Sequence, residues 1–193
     1  MEHLDEEVLK FRKSVRKSNY DTLESGMYIN DELVHFNEVM LFDDKVKIML
    51  PDTFVDMPSA MAKLKYPSEQ RPQIIKTSLD TTVNFTFNLF KQEFEASHIK
   101  SAIEQFREVI RKVNPALLFY DMVIEDEKSI GWFDFKSYGL DEQIYNIMYV
   151  MPVERKMMQG VFNCKYRDIM EWKDVVHKIL MSIVDCTKEE GKK

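Results

Sequence analysis

The chain has 193 residues, 45% of them apolar and 12% aromatic, with five glycines and six prolines; this suits one domain with its own core and excludes a disordered or low-complexity chain. A formal net charge of -6 repels phosphate backbones and anionic lipid surfaces, so nucleic acid is not an expected partner. Met1 to Glu7 lacks the basic start and apolar core of a secretory signal, no stretch reaches the roughly 20 apolar residues of a membrane span, and Cys164 and Cys186 make no disulfide framework, so the expectation is a cytoplasmic protein without membrane insertion.

Leu4, Val8, Phe11 and Val15 recur at helical spacing among charged residues, which predicts an amphipathic helix with one narrow apolar stripe, read first as cover for a sheet, second as a dimer contact and third as a membrane-surface helix. Its cations Lys10, Arg12, Lys13, Arg16 and Lys17 fit a nuclear signal or a lipid-binding stripe, but they follow Asp5, Glu6 and Glu7, the order a helix dipole favours, and helix charge is the stronger reading. Asn19 to Gly26 is polar and reads as a connection. Residues 1–26 are thus expected as helix and connection, 27–186 as a single α+β domain and 187–193 as a polar tail.

Met27-Tyr28-Ile29 and Leu33-Val34-His35-Phe36 flank Asn30-Asp31-Glu32, whose Asn and Asp tolerate turn dihedrals, so a hairpin is predicted. Val39 to Phe42 turns through Asp43-Asp44 into Lys45 to Leu50, with Val46, Ile48 and Leu50 on one side and a wet face on the other. Pro51 to Pro72 carries four of the six prolines and is not expected to be sheet. Pro58 suits the first turn of a short helix that Tyr66-Pro67 stops. Ile74 to Thr77 is a strand, and Val83, Phe85, Phe87 and Leu89 alternate with Asn84, Thr86 and Asn88, which predicts a half-buried strand.

From Ala96 to Val113, Ile99, Ala102, Ile103, Phe106, Val109, Ile110 and Val113 form a broad helical face that ends at Asn114-Pro115. Leu117 to Ile124 and Ile130 to Tyr138 are strands that lead into two more. Ile144 to Met151 is apolar at odd and even positions alike, so it needs cover on both faces. Met157 to Cys164 follows through a link too short for a parallel crossover, so the pair is a hairpin that closes a four-stranded meander. With Glu154-Arg155 as a two-residue turn, Val153 faces Lys156 and Asn146 faces Asn163, so that the two amides are expected to satisfy each other. Asp168 and Glu171 resemble a capping box, and Ile169, Trp172, Val175, Val176, Ile179, Leu180 and Ile183 give the last helix its apolar face. The sum is an antiparallel sheet with helices on both faces.

His3, His35, His98 and His177 stand in separate elements with no His or Cys at i+3 or i+4, so no metal site is expected. His98 and His177 read as surface residues. No serine sits in a nucleophile turn, and no glycine loop cradles phosphate, so no cofactor is expected. Asp121 and Asp134 lie in strands, where two inward carboxylates make an acid/base pair; the competing reading is outward-facing charge, with Asp134 and Lys136 on one solvated side. Met157 and Met158 are adjacent in a strand and point to opposite faces near a turn. With Arg155 and Lys156 they are the candidate contact surface.

The order of elements, with Leu50-Pro51-Asp52-Thr53-Phe54 after an early strand, the meander ending in the apolar hairpin, and Trp172 opening a closing helix, resembles the PsbP-like superfamily over roughly residues 27 to 185. That group holds photosystem II extrinsic subunits, a Ran-binding import factor and bacterial DcrB-like proteins. The Tyr66 to Pro72 segment and Phe162-Asn163-Cys164 look like a bacterial branch without an assigned role. The resemblance implies an α/β/α sandwich whose members act by binding proteins, with no shared catalytic residues. The favoured expectation is therefore a non-enzymatic protein-interaction or adaptor domain, with another protein as partner. A small apolar ligand or lipid-binding protein is second, and an enzyme using Asp121 or Asp134 third.

Overall fold

A computed structural model describes residues 19–139 and 141–188. The helix expected over Leu4 to Val15, its basic cluster and His3 lie outside the described residues. The strands are β1 (Asp21–Thr22), β2 (Gly26–Ile29), β3 (Glu32–Val34), β4 (Phe36–Leu41), β5 (Val46–Pro51), β6 (Val55–Asp56), β7 (Ile74–Thr77), β8 (Asn84–Glu93), β9 (Leu118–Glu125), β10 (Ile130–Tyr138), β11 (Gln143–Val153), β12 (Lys156–Lys165) and β13 (Val184–Asp185). The α-helices are α1 (Ser59–Lys65), α2 (Ile99–Val113) and α3 (Ile169–Met181).

A seven-stranded antiparallel sheet, ordered β6-β7-β8-β12-β11-β10-β9, forms the middle layer. The β11–β12 ribbon lies inside it, as its two-faced apolar sequence requires. Side chains alternate along a strand: Tyr145, Ile147, Tyr149, Met151 and Val153 enter the larger core, while Met148 and Val150 join the smaller one beneath α2. The larger core is closed by α3, through Trp172, Val175, Val176, Ile179 and Leu180, and by the small sheet β13-β5-β4, through Val46, Ile48 and Leu50. At about 1.5 to 3 kcal/mol for each buried side chain, the α3 face contributes on the order of 10 kcal/mol as an upper bound. Helices therefore cover both faces of the sheet, and the fold is α+β. Among the described residues no helix is long and apolar enough to cross a membrane.

The hairpin turn sets the register. Glu154 and Arg155 have φ of 50° and 58°, a left-handed pair whose twist matches the strands it joins. Neither is glycine, so the turn carries conformational cost that ion pairs offset. Glu154 holds Lys156 at 2.7 Å and Lys45 at 2.8 Å, which pulls its carboxyl down to about 2, Lys156 contributing most. Arg155 reaches Glu93 at 2.6 Å and Glu95 at 3.1 Å. Val153 then pairs with Lys156 and Asn146 with Asn163.

Five expectations about the strands, turns and caps change. The opposed amides do not bond each other: Asn146 Nδ2 donates to Ser137 Oγ at 2.9 Å, and Asn163 Oδ1 accepts from Asn84 Nδ2 at 2.9 Å, because each has a nearer polar partner on its outer strand. The strand β8 is not half-buried at its start. Asn84 and Thr86 are each 2% exposed and satisfied, Asn84 by Thr77 Oγ1 and Thr86 by the backbone of Val161. The proline-rich stretch contributes β6 after all, a two-residue strand at the rim. The connection from Asn19 to Gly26 contains β1 and places Leu23 in the larger core. Asp168 makes no capping bond, since a short 3-10 turn over Tyr166–Asp168 leads into α3, and Glu171 Oε2 instead accepts from the Asn30 amide at 3.2 Å.

Candidate functional site

The helix α2 reaches the sheet through Ile99 and Ile103, which pack where Gly131 leaves room; a Cβ there would sit 2.6 Å from Ile99 Cγ2. Its apolar face is wider than the sheet beneath it. Val109 and Val113 are left 57% and 81% exposed. Between this face and the ends of β8 and β12 runs a groove of about 440 Å³, with Phe94, Ala102, Phe106, Val109 and Met157 as its apolar lining. Glu93, Gln92, His98, Ser101 and Gln105 supply the polar groups. The groove can hold an apolar side chain or short segment and fix it with hydrogen bonds at the rim.

The candidate contact residues divide here. Met157 lines the groove, Arg155 is tied to Glu93 of that lining, and Lys156 neighbours both. Met158 does not belong to any surface. It is 0% exposed in the larger core, because strand alternation sends it to the opposite face from Met157. Sequence reading missed the α2 side of the groove, although Val109 and Val113 at i, i+4 extend the apolar face past what one sheet can cover.

The two aspartates meet in a second cluster. A bulge makes Tyr120 and Asp121 oppose Asp134, and Lys173 of α3 lies across both carboxylates, 3.1 Å from Asp121 and 3.2 Å from Asp134. The outward-facing reading fails for Asp134, which is 2% exposed. Its Oδ2 accepts from Tyr145 Oη at 2.7 Å, while Oδ1 has no partner among the described residues. Burial acts to lower the Lys173 pKa, but Asp121 and Asp134 outweigh it and raise it. The carboxylates share a lysine, and a substrate would have to displace it. The cluster ties α3 to the sheet. Nearby, Cys164 is buried and its thiol is pushed up to about 12, chiefly by desolvation, which makes it a weak nucleophile.

His177 is not a plain surface residue. Its ring packs on Trp132 with centroids 5.3 Å apart, and burial, with Lys173 beside it, lowers its pKa against the opposing pull of Asp134, Asp174 and Asp121. The neutral ring therefore contributes stability above the unfolded value of 6.5, and this is lost as pH falls through the lowered folded value. Urea unfolding at pH 7.5 and pH 5 should show a loss of stability toward acid that is smaller in His177→Asn. Equal losses in the two proteins would contradict this placement.

No family model matches the sequence, and no curated protein matches it. Solved structures do. The solution structure of cyanobacterial PsbP (CyanoP) from Synechocystis sp. PCC 6803 aligns with a TM-score of 0.57 at 8% identity, over 78% of this chain and 92% of that one. The chain has the PsbP-like fold. The Ran-binding protein Mog1p of Saccharomyces cerevisiae aligns with a TM-score of 0.52 at 9% identity, over 79% and 96%. At these identities the PsbP-like fold is what is shared, and side-chain roles do not transfer.

Proposed function

We propose that this chain is a cytoplasmic, non-enzymatic protein-interaction or adaptor domain that docks a partner protein in the groove between α2 and the ends of β8 and β12. The observation that carries the reading is the groove's apolar lining, continued by the exposed Val109 and Val113, in a protein whose buried aspartate is sealed under a lysine. Contiguous exposed apolar surface with a polar rim is the usual mark of an interaction site. Met157, unbranched and polarizable, suits a contact that adapts to its partner. That Mog1p, described as a Ran-binding protein, has this fold supports a binding role and says nothing of which partner.

The test places a photo-crosslinking amino acid at Val109 in cells, with Leu79, 76% exposed, as the control position. A protein adduct at 109 that is absent at 79, and that is lost on Met157→Glu, is the expected result. Identical adducts at both positions, or a lipid or small apolar metabolite retained by the wild type and lost by Met157→Glu, would overturn the reading.

A further inference from the structure

The two rims of the large sheet are unlike. One is β6, two residues long, with Pro58 just beyond it and Asp56 paired to Lys76 at 2.8 Å. Short length, proline and charge are the ordinary protections of a strand edge. The other rim is β9, eight residues long and, among the described residues, paired with β10 alone. Leu118, Phe119, Tyr120, Met122, Val123 and Ile124 make it apolar, and every one is partly or largely exposed. It contains no lysine and no proline; its mid-strand charge, Asp121, beside the bulge opposite Asp134, is neutralised within the chain by Lys173 at 3.1 Å. Among the described residues, Arg107 Nη2 of the neighbouring helix α2 reaches the β9 backbone, donating to Tyr120 O at 3.4 Å.

We propose that β9 pairs antiparallel with β9 of a second copy of this chain, joining two seven-stranded sheets across a twofold axis. An open edge selects a strand as its occupant, since only a strand satisfies a row of backbone donors and acceptors. Charge selects the second copy and the direction. Arg107 and Arg111 stand over Phe119, at 5.5 and 5.1 Å from its ring centre, near the start of β9. Glu125, Asp126 and Glu127 close its far end. Antiparallel pairing about a twofold sets the start of each strand against the end of the other, so the arginines of each copy meet the acidic turn of its mate, and the contact occurs twice. Parallel pairing would set acid on acid. The pair also adds cover for Leu118, 48% exposed at the same end. Arg111 is held by Glu108 at 2.9 Å in the single chain, an exposed pair that costs little to exchange.

Sedimentation equilibrium on the full chain tests this without reference to the groove. The expected result is a dimer that weakens with added salt. Arg111→Glu should raise its dissociation constant about tenfold, since each substitution removes two exposed ion pairs. Adding Asp126→Arg to Arg111→Glu should restore it. Hydrogen exchange should show the β9 amides slowing as concentration rises. A wild-type monomer at every concentration, a dimer indifferent to Arg111→Glu, or β9 amides that exchange alike in monomer and dimer would each overturn the proposal.

Discussion

Asp134→Ala is expected to destabilise the domain by about 4 kcal/mol, because breaking a buried, paired charge leaves its partners uncompensated. Tyr145 is 0% exposed and its hydroxyl has Asp134 Oδ2 as acceptor at 2.7 Å; with alanine there, a buried donor is orphaned. Lys173 keeps Asp121, whose side chain is 73% exposed, so the ionic tie between α3 and the sheet is reduced to a surface contact. Asp134→Asn keeps an acceptor for Tyr145 and should lose less. Lys173→Met and Asp134→Ala should be far from additive, since each removes the same contact. Urea unfolding of the wild type, the three single variants and the double variant decides it. A loss below 1 kcal/mol for Asp134→Ala would mean that the carboxylate does not organise this corner.

That aspartate also shows what was readable in the sequence. Ile130, Trp132, Asp134 and Lys136 share one side of β10, and a side that carries a tryptophan is a core side. The signal for burial was present, but Lys136 at the strand's end spoke for solvent. Hairpin geometry was readable because it is local: the link between two apolar runs fixes the turn, and the turn fixes that Asn146 opposes Asn163. Which way each amide bonds was not readable. It depends on β8 lying beside β12 and β10 beside β11, and β8 is separated from β12 by α2 and three strands.

The same reason explains β8 itself. Asn84 and Thr86 look like a wet face because they are polar, yet Asn84 bridges Thr77 to Asn163 and Thr86 bonds both backbone groups of Val161. Polarity predicts exposure only when no partner strand supplies the bonds. The groove escaped for a different reason. It is made by the mismatch in width between the α2 face and the sheet under it, and neither element shows that alone.

Gly160→Ala is expected to cost about 3 kcal/mol, a combination of overpacking and a lost hydrogen bond. Gly160 faces Tyr149 across the β11–β12 ladder, and Phe87 across the β8–β12 ladder. The Tyr149 ring crosses over the glycine so that its hydroxyl can donate to Thr86 O at 3.1 Å on the far strand. A Cβ at 160 would be driven into Tyr149 Oη and Cζ and into the carbonyl of Thr86, and a backbone atom in a central strand has nowhere to retreat. Tyr149 is 0% exposed and packs edge-on against Phe87, with ring centres 6.2 Å apart, so the ring cannot swing away without opening the core. Its phenol pKa is raised well above the ordinary value by burial, so it stays a neutral donor. Tyr149→Phe removes the oxygen and should relieve part of the clash, so the double variant should be less damaged than the sum of the two single ones. Simple additivity in guanidinium unfolding would show that the hydroxyl is not what excludes a side chain at 160. A loss within 0.5 kcal/mol for Gly160→Ala would mean that the ring does not lie across the glycine at all.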